Sequence, residues 1–207
     1  MTDHLAARAE QYYDPALPYH NWDHAVRATR YGVELAHRCH AENVTANLHM
    51  IRYALWFHDA GYRTDEQAVG CATKEQYAAA IAAHEMTLAG HDLPSIAGVV
   101  GCILATHRLA VPVTVEQKIV RAADLAELAA DYTRFRINSE ALRTEAGLLS
   151  GKEVSPVAWR TGSISVIVAY LAQDIHLTGQ HDAPDGVSDF HRKAVVNLGR
   201  YLADETT

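Results

Sequence analysis

Apolar and polar positions recur along this chain at helical spacing, and runs that alternate apolar with polar are rare, so the pattern predicts an all-α protein. A short helix is expected over 2–13, ended near Asp14-Pro15, followed by a turn at 17–21. A long helix over about 22–41 carries His24, Ala28, Tyr31 and Leu35 on its inward stripe. The next, about 46–59, carries Ile51, Leu55 and His58 on one stripe and ends in adjacent His58 and Asp59. Gly61 to Gly70 reads as a loop. Thr73 and Gln76 form a capping box for a helix over 74–89, whose stripe is Tyr77, Ile81, His84 and Leu88. Pro94 suits the first turn of a helix over 94–107 with Ile96, Val100, Ile103 and His107 inward. A helix from Thr114 or Val115 to about 130 puts Val120, Asp124 and Leu128 on one face. Residues 131–149 are amphipathic. A helix over 156–176 has an apolar run, Ile164 to Leu171, that reads as central core, and a last helix covers about 188–203.

A chain of 207 residues fits one domain over 1–207, and no linker, repeat or low-complexity tract divides it. The net charge of -7 argues against a broad nucleic-acid or anionic-membrane surface. Cys39, Cys71 and Cys102 form no Cys-x-x-Cys pair, and with no signal-type apolar run at the N-terminus the expected compartment is the cytoplasm.

Histidine is the outlier, with 13 copies. His24, His58-Asp59, His84, His107 and Asp124 fall on apolar stripes or at their ends. The other two His-Asp pairs, His91-Asp92 and His181-Asp182, fall in turn or loop sequence. A buried carboxylate is costly unless it is paired or binds a metal. Inward histidines and carboxylates on separate helices therefore point to a shared cation. Mixed nitrogen and oxygen ligands suit Mn, Fe, Co, Ni, Zn or Mg, as one or two ions.

The order of these residues resembles the H…HD…D signature of the HD-domain superfamily of metal-dependent phosphohydrolases. Tyr19-His20-Asn21-Trp22-Asp23-His24 is similar to the opening motif of its small bacterial members, and Trp56-Phe57-His58-Asp59-Ala60-Gly61-Tyr62 to the second. Ala105-Thr106-His107 and Arg121-Ala122-Ala123-Asp124-Leu125-Ala126 resemble the third and fourth. The resemblance covers about 18–145. It implies a single-domain helical bundle with a central metal site, completed by C-terminal helices over about 156–203. It also implies His24, His58, Asp59 and Asp124 as ligands, with His84 and His107 where two-metal members place extra histidines. Glu75 lies where these members carry an acid, within Thr73-Lys74-Glu75-Gln76-Tyr77-Ala78. There Lys74 and Tyr77 replace the family's acid and serine.

The implied reaction is hydrolysis of a small phosphorylated substrate, with a nucleotide as one class, by a metal-activated water. Asp59 or Glu75 would take the proton, and His20, Arg63 or Lys74 would neutralise phosphoryl oxygens. Two alternatives stay open: a mixed-valent di-iron oxygenase using His84 and His107, and a metal- or nucleotide-binding module without turnover. The expected partner is a small phosphorylated molecule, with no nucleic acid and no membrane. A homodimer is the candidate assembly.

Overall fold

The structure is a computed structural model and describes residues 4–173 and 187–203. Among the described residues the regular elements are α-helices and one 3-10 turn, with no strand, as the periodicity predicts. The chain divides into two compact units, Met1–Asp124 and Leu125–Thr207. The boundary falls inside the 18–145 span of the motifs, and all of the converging ligand candidates lie in the first unit.

That unit contains α1 (His4–Glu10), α2 (Trp22–Ala41), α3 (Leu48–Phe57), α4 (Lys74–Leu88), α5 (Leu93–Leu104) and α6 (Val115–Asp124). The helix starts follow local capping chemistry. Asn21, Asn47, Thr73 and Asp92 each accept a backbone N–H of the first turn through the side chain, satisfying donors that the helix cannot. Helix α3 is the axis of the unit and packs on the other five. Its Ile51, Ala54, Leu55 and Phe57 are fully enclosed. Complete burial of a side chain such as Leu55 is worth about 1.5–3 kcal/mol. Opposite Leu55 stands Gly32 of α2. A Cβ at Gly32 would run into the Leu55 side chain and lie 3.1 Å from Ile51 Cγ2 and 3.4 Å from Ala123 Cβ. The glycine thus lets α2, α3 and α6 meet closely.

Three stripes differ from expectation. On α2 Tyr31 and Leu35 are only half-buried, and Ala25, Thr29, Gly32, Ala36 and Cys39 are enclosed beside His24 and Ala28. On α4 the buried residues are Ala78, Ala79, Ile81, Ala82, Glu85 and Met86, while His84 and Leu88 are exposed. The stripe is rotated by one residue, because the alanine-rich helix offers apolar neighbours on either side. On α5 the helix stops at Leu104, so His107 lies in the following turn and not on the inward face.

The second unit holds a 3-10 turn (Ala126–Ala129), α7 (Tyr132–Ser150), α8 (Pro156–Leu171) and α9 (Asp189–Ala203). The chain therefore tightens after Asp124, where one helix to about 130 was expected. The small core of this unit is Phe135, Ile167 and Leu198, with Tyr132, Ile164, Leu171 and Tyr201 against it. The run Ile164 to Leu171 is not a central core. Only Ile167 of α8 is buried, and Val166 and Val168 are exposed, since the unit covers a single face of this helix. No helix of the described residues is long and apolar enough to cross a membrane.

Candidate metal centre

Three helix ends of the first unit converge on one point. Asn21 caps α2 by accepting the His24 N–H at 3.2 Å, while its own amide donates to the Leu17 carbonyl at 3.0 Å. The cap fixes His24 in the first turn, where its imidazole is 1% exposed. His58 follows the last residue of α3 and is 2% exposed. Its Nδ1 lies 2.8 Å from the Leu55 carbonyl. A carbonyl only accepts, so Nδ1 carries the proton, and in the neutral ring the Nε2 lone pair faces the convergence point. Asp59 comes next in the chain, and Asp124 ends α6.

The four residues offer one ligand atom each, all within 4.8 Å of one another. His58 Nε2 is 3.0 Å from Asp59 Oδ2, 3.3 Å from Asp124 Oδ1 and 3.2 Å from His24 Nε2. His24 Nε2 is 3.3 Å from Asp124 Oδ1 and 3.5 Å from Asp59 Oδ2. Two donors each about 2.1 Å from one ion stand about 3.0 Å apart at a right angle and about 3.4 Å apart at the tetrahedral angle. The five spacings above lie within about 0.1 Å of that range. Asp59 Oδ2, though close to His58, makes no bond of hydrogen-bond geometry, and the buried His24 Nδ1 has no hydrogen-bond partner. Two imidazoles and two carboxylates, enclosed together with one oxygen unsatisfied, suit a divalent cation.

The electrostatics agree. Burial disfavours ionised Asp124 and Asp59, but the facing imidazoles more than offset it and hold both carboxyls below their usual range. Burial likewise opposes a charge on His58, yet Asp59 and Asp124 outweigh it and raise its pKa well above the ordinary value. The carboxylates are thus ionised, and a proton on His58 is what a metal would displace.

The remaining expected site residues divide. His20 stacks on Tyr62 with ring centroids 3.7 Å apart, stands 5.9 Å from the His24 ring, and is one of the groups that lower the Asp59 pKa. Lys74 donates to the Thr64 carbonyl and to Glu66, each at 3.0 Å, and lies 5.2 Å from the Tyr62 ring. Arg63 is largely exposed and paired with Asp14. Glu75 sits half-buried in the first turn of α4, outside the four-donor group. The structure does not bring His84 and His107 into that group. His84 is exposed, and His107 Nδ1 accepts the Leu109 N–H at 3.3 Å. Asp92 serves as the cap of α5, so the second His-Asp pair is a helix-joining turn as expected. His181-Asp182 lies outside the described residues.

Sequence reasoning missed two buried ionic anchors. Arg121 is fully enclosed and donates to the carbonyls of Ala105, His107 and Ala110. It ties the turn after α5 to α6 close to Asp124, so the Ala105-Thr106-His107 motif supplies carbonyls to Arg121. Glu85, 4% exposed, accepts from Arg8 at 2.6 Å and from the Tyr12 hydroxyl at 2.5 Å. That bond to Glu85 is the main cause that lifts the Tyr12 pKa to about 12. The signal was present in the spacing of Ala78, Ala82 and Glu85, had the stripe been read one residue over.

No family model matches the chain, and no curated protein matches it either.

Proposed function

We propose that this chain is a metal-dependent phosphohydrolase of the HD superfamily that acts on a small phosphorylated substrate, with nucleotides the first class to test. The observation that carries this reading is the convergence of His24, His58, Asp59 and Asp124, in the family's order, on one buried point. These four residues would hold the cation. Bound there, a divalent ion supplies Lewis acidity, which lowers the pKa of a water and polarises a phosphoryl oxygen. The chain's own residues do the rest. The Leu55 carbonyl keeps His58 in the ligating tautomer. Asp59 Oδ2 faces His58 and His24, which leaves Oδ1 to take the proton from the attacking water. Glu75 is the second candidate for that role. His20, oriented by its stack on Tyr62, supplies a donor to the phosphoryl oxygens. Lys74 and Arg63 contribute less, because Glu66 and Asp14 already neutralise them. The di-iron reading draws no support from the donor group, which lacks His84 and His107.

The test is metal analysis of purified protein followed by a phosphate-release screen over nucleotides with manganese, cobalt, magnesium and zinc. The expected result is about one ion per chain, with turnover that Asp59→Ala abolishes. Metal-loaded protein that releases phosphate from no substrate in the screen overturns the hydrolase reading and leaves the binding module.

A further inference from the structure

We infer that Tyr12 and Tyr13, just after α1, form a clamp that sets the geometry of the metal-binding turn, and that Glu85 of α4 holds the clamp closed. The inference rests on the metal centre but on no substrate or reaction. It adds to the centre a segment that lies outside the 18–145 span of the motifs.

The ligand pair His58-Asp59 sits between two backbone groups, each secured by one of these tyrosines. On one side α3 ends at Phe57, so the Trp56 carbonyl is among those left without a helical partner. The Tyr13 hydroxyl, itself buried, donates to it at 3.0 Å. On the other side the Gly61 N–H donates to the Tyr12 carbonyl at 3.0 Å. Gly61 has φ +73°, in the left-handed region that favours glycine, and a Cβ there would collide with Tyr77. Consecutive residues thus hold both flanks of the turn that carries two of the four ligands.

The clamp is anchored in turn. The Tyr12 hydroxyl donates to Glu85 Oε1, and Arg8 donates to Oε2. Glu85 is a buried carboxylate with both oxygens bonded to one neighbouring segment, so its position on α4 fixes where Tyr12 stands. The donor spacings of 3.0–3.5 Å depend on the backbone at His58 and Asp59. Outer supports of metal ligands typically change affinity about 10- to 100-fold when removed. Tyr13 and Glu85 are positioning residues of this kind, acting through the backbone.

The experiment titrates cobalt(II) into metal-free wild type, Tyr13→Phe, Glu85→Gln and Tyr201→Phe, and reads affinity and the visible spectrum, which reports coordination geometry. Tyr201→Phe deletes a hydroxyl bonded to Ser139 in the second unit and serves as the control. Tyr13→Phe keeps the ring and loses only the bond to Trp56. Tyr13→Phe and Glu85→Gln are expected to weaken cobalt binding about tenfold or more and to alter the spectrum. Tyr201→Phe is expected to match wild type. Wild-type affinity and spectrum in Tyr13→Phe would overturn the clamp, as would an equal loss in Tyr201→Phe. A wild type that binds no cobalt removes the metal centre itself, and the clamp with it.

Discussion

Asp124→Asn keeps the side-chain shape and one oxygen acceptor while removing one of the two carboxylate charges of the donor group. Asp124 Oδ1 is 3.3 Å from both facing imidazole nitrogens. A cation at the convergence point would face the same carboxylate at no greater distance, and a unit charge pair at 3.3 Å is worth about 5 kcal/mol at an effective dielectric constant of about 20. The Asp124 side chain is 21% exposed, and half of that energy allows for solvent screening. The remaining ~2.5 kcal/mol is about 60-fold in metal affinity, on the order of a hundredfold. At free metal about 100 times its Kd, wild type gains about 2.7 kcal/mol from binding, and a variant with a hundredfold weaker site gains about 0.4 kcal/mol. For a chain of this size, with about 2–4 °C per kcal/mol, a metal-induced shift of about 5–11 °C should fall to about 1–2 °C. The assay is a melting curve of each protein with chelator and with excess manganese. The shift is the readout because Asn also loses the charge that attracts His24 and His58, which lowers the metal-free Tm by itself. Equal shifts in both proteins would refute Asp124 as a ligand.

The double variant His84→Gln, His107→Gln should retain wild-type metal content by elemental analysis, and a fall by half would restore the two-ion expectation. The pH dependence should differ in sign between the two forms. The raised His58 pKa stabilises metal-free protein fully below the unfolded value of about 6.5, and this stability is lost as pH rises through the folded value. Metal binding needs the deprotonated ring, so the metal-induced gain should grow over the same range. Melting series for wild type and His58→Gln read both effects. A metal-free wild type that falls no more steeply than His58→Gln contradicts the assignment.

Helix existence, most boundaries and the inward ends of α2, α3 and α6 were legible because apolar spacing and caps are local signals. Ile51, Leu55 and His58 share one face whichever neighbours cover it, so that stripe was read correctly. Helix α4 was misread because alanines surround its true face, leaving His84 and Glu85 equally plausible from pattern alone. What made Glu85 the buried one lies in Arg8 and Tyr12, more than 70 residues away in sequence. Arg121 escaped for a similar reason, since its partners are backbone carbonyls, which carry no residue signature. The apolar run of α8 suggested a core that the described helices of the second unit do not provide.

Gly32 lies where the helices that carry the donor group pack together. The helices that meet at this residue are the same three whose ends present His24, His58 and Asp124, with Asp59 one residue beyond. At that crossing the α2 backbone faces side-chain atoms of the other two helices, Leu55 Cδ1, Ile51 Cγ2 and Ala123 Cβ. The bite of the site is therefore a property of the scaffold. Bond lengths differ by only tenths of an ångström between ions such as magnesium or zinc at about 2.0–2.1 Å and calcium at about 2.3–2.6 Å. The packing of the three helices, in which Gly32 supplies no ligand, is thus part of what positions the donor atoms. A methyl group at Gly32 would meet the Leu55 side chain, three residues before His58, and would fit only if that side chain moved, leaving every donor atom chemically unchanged.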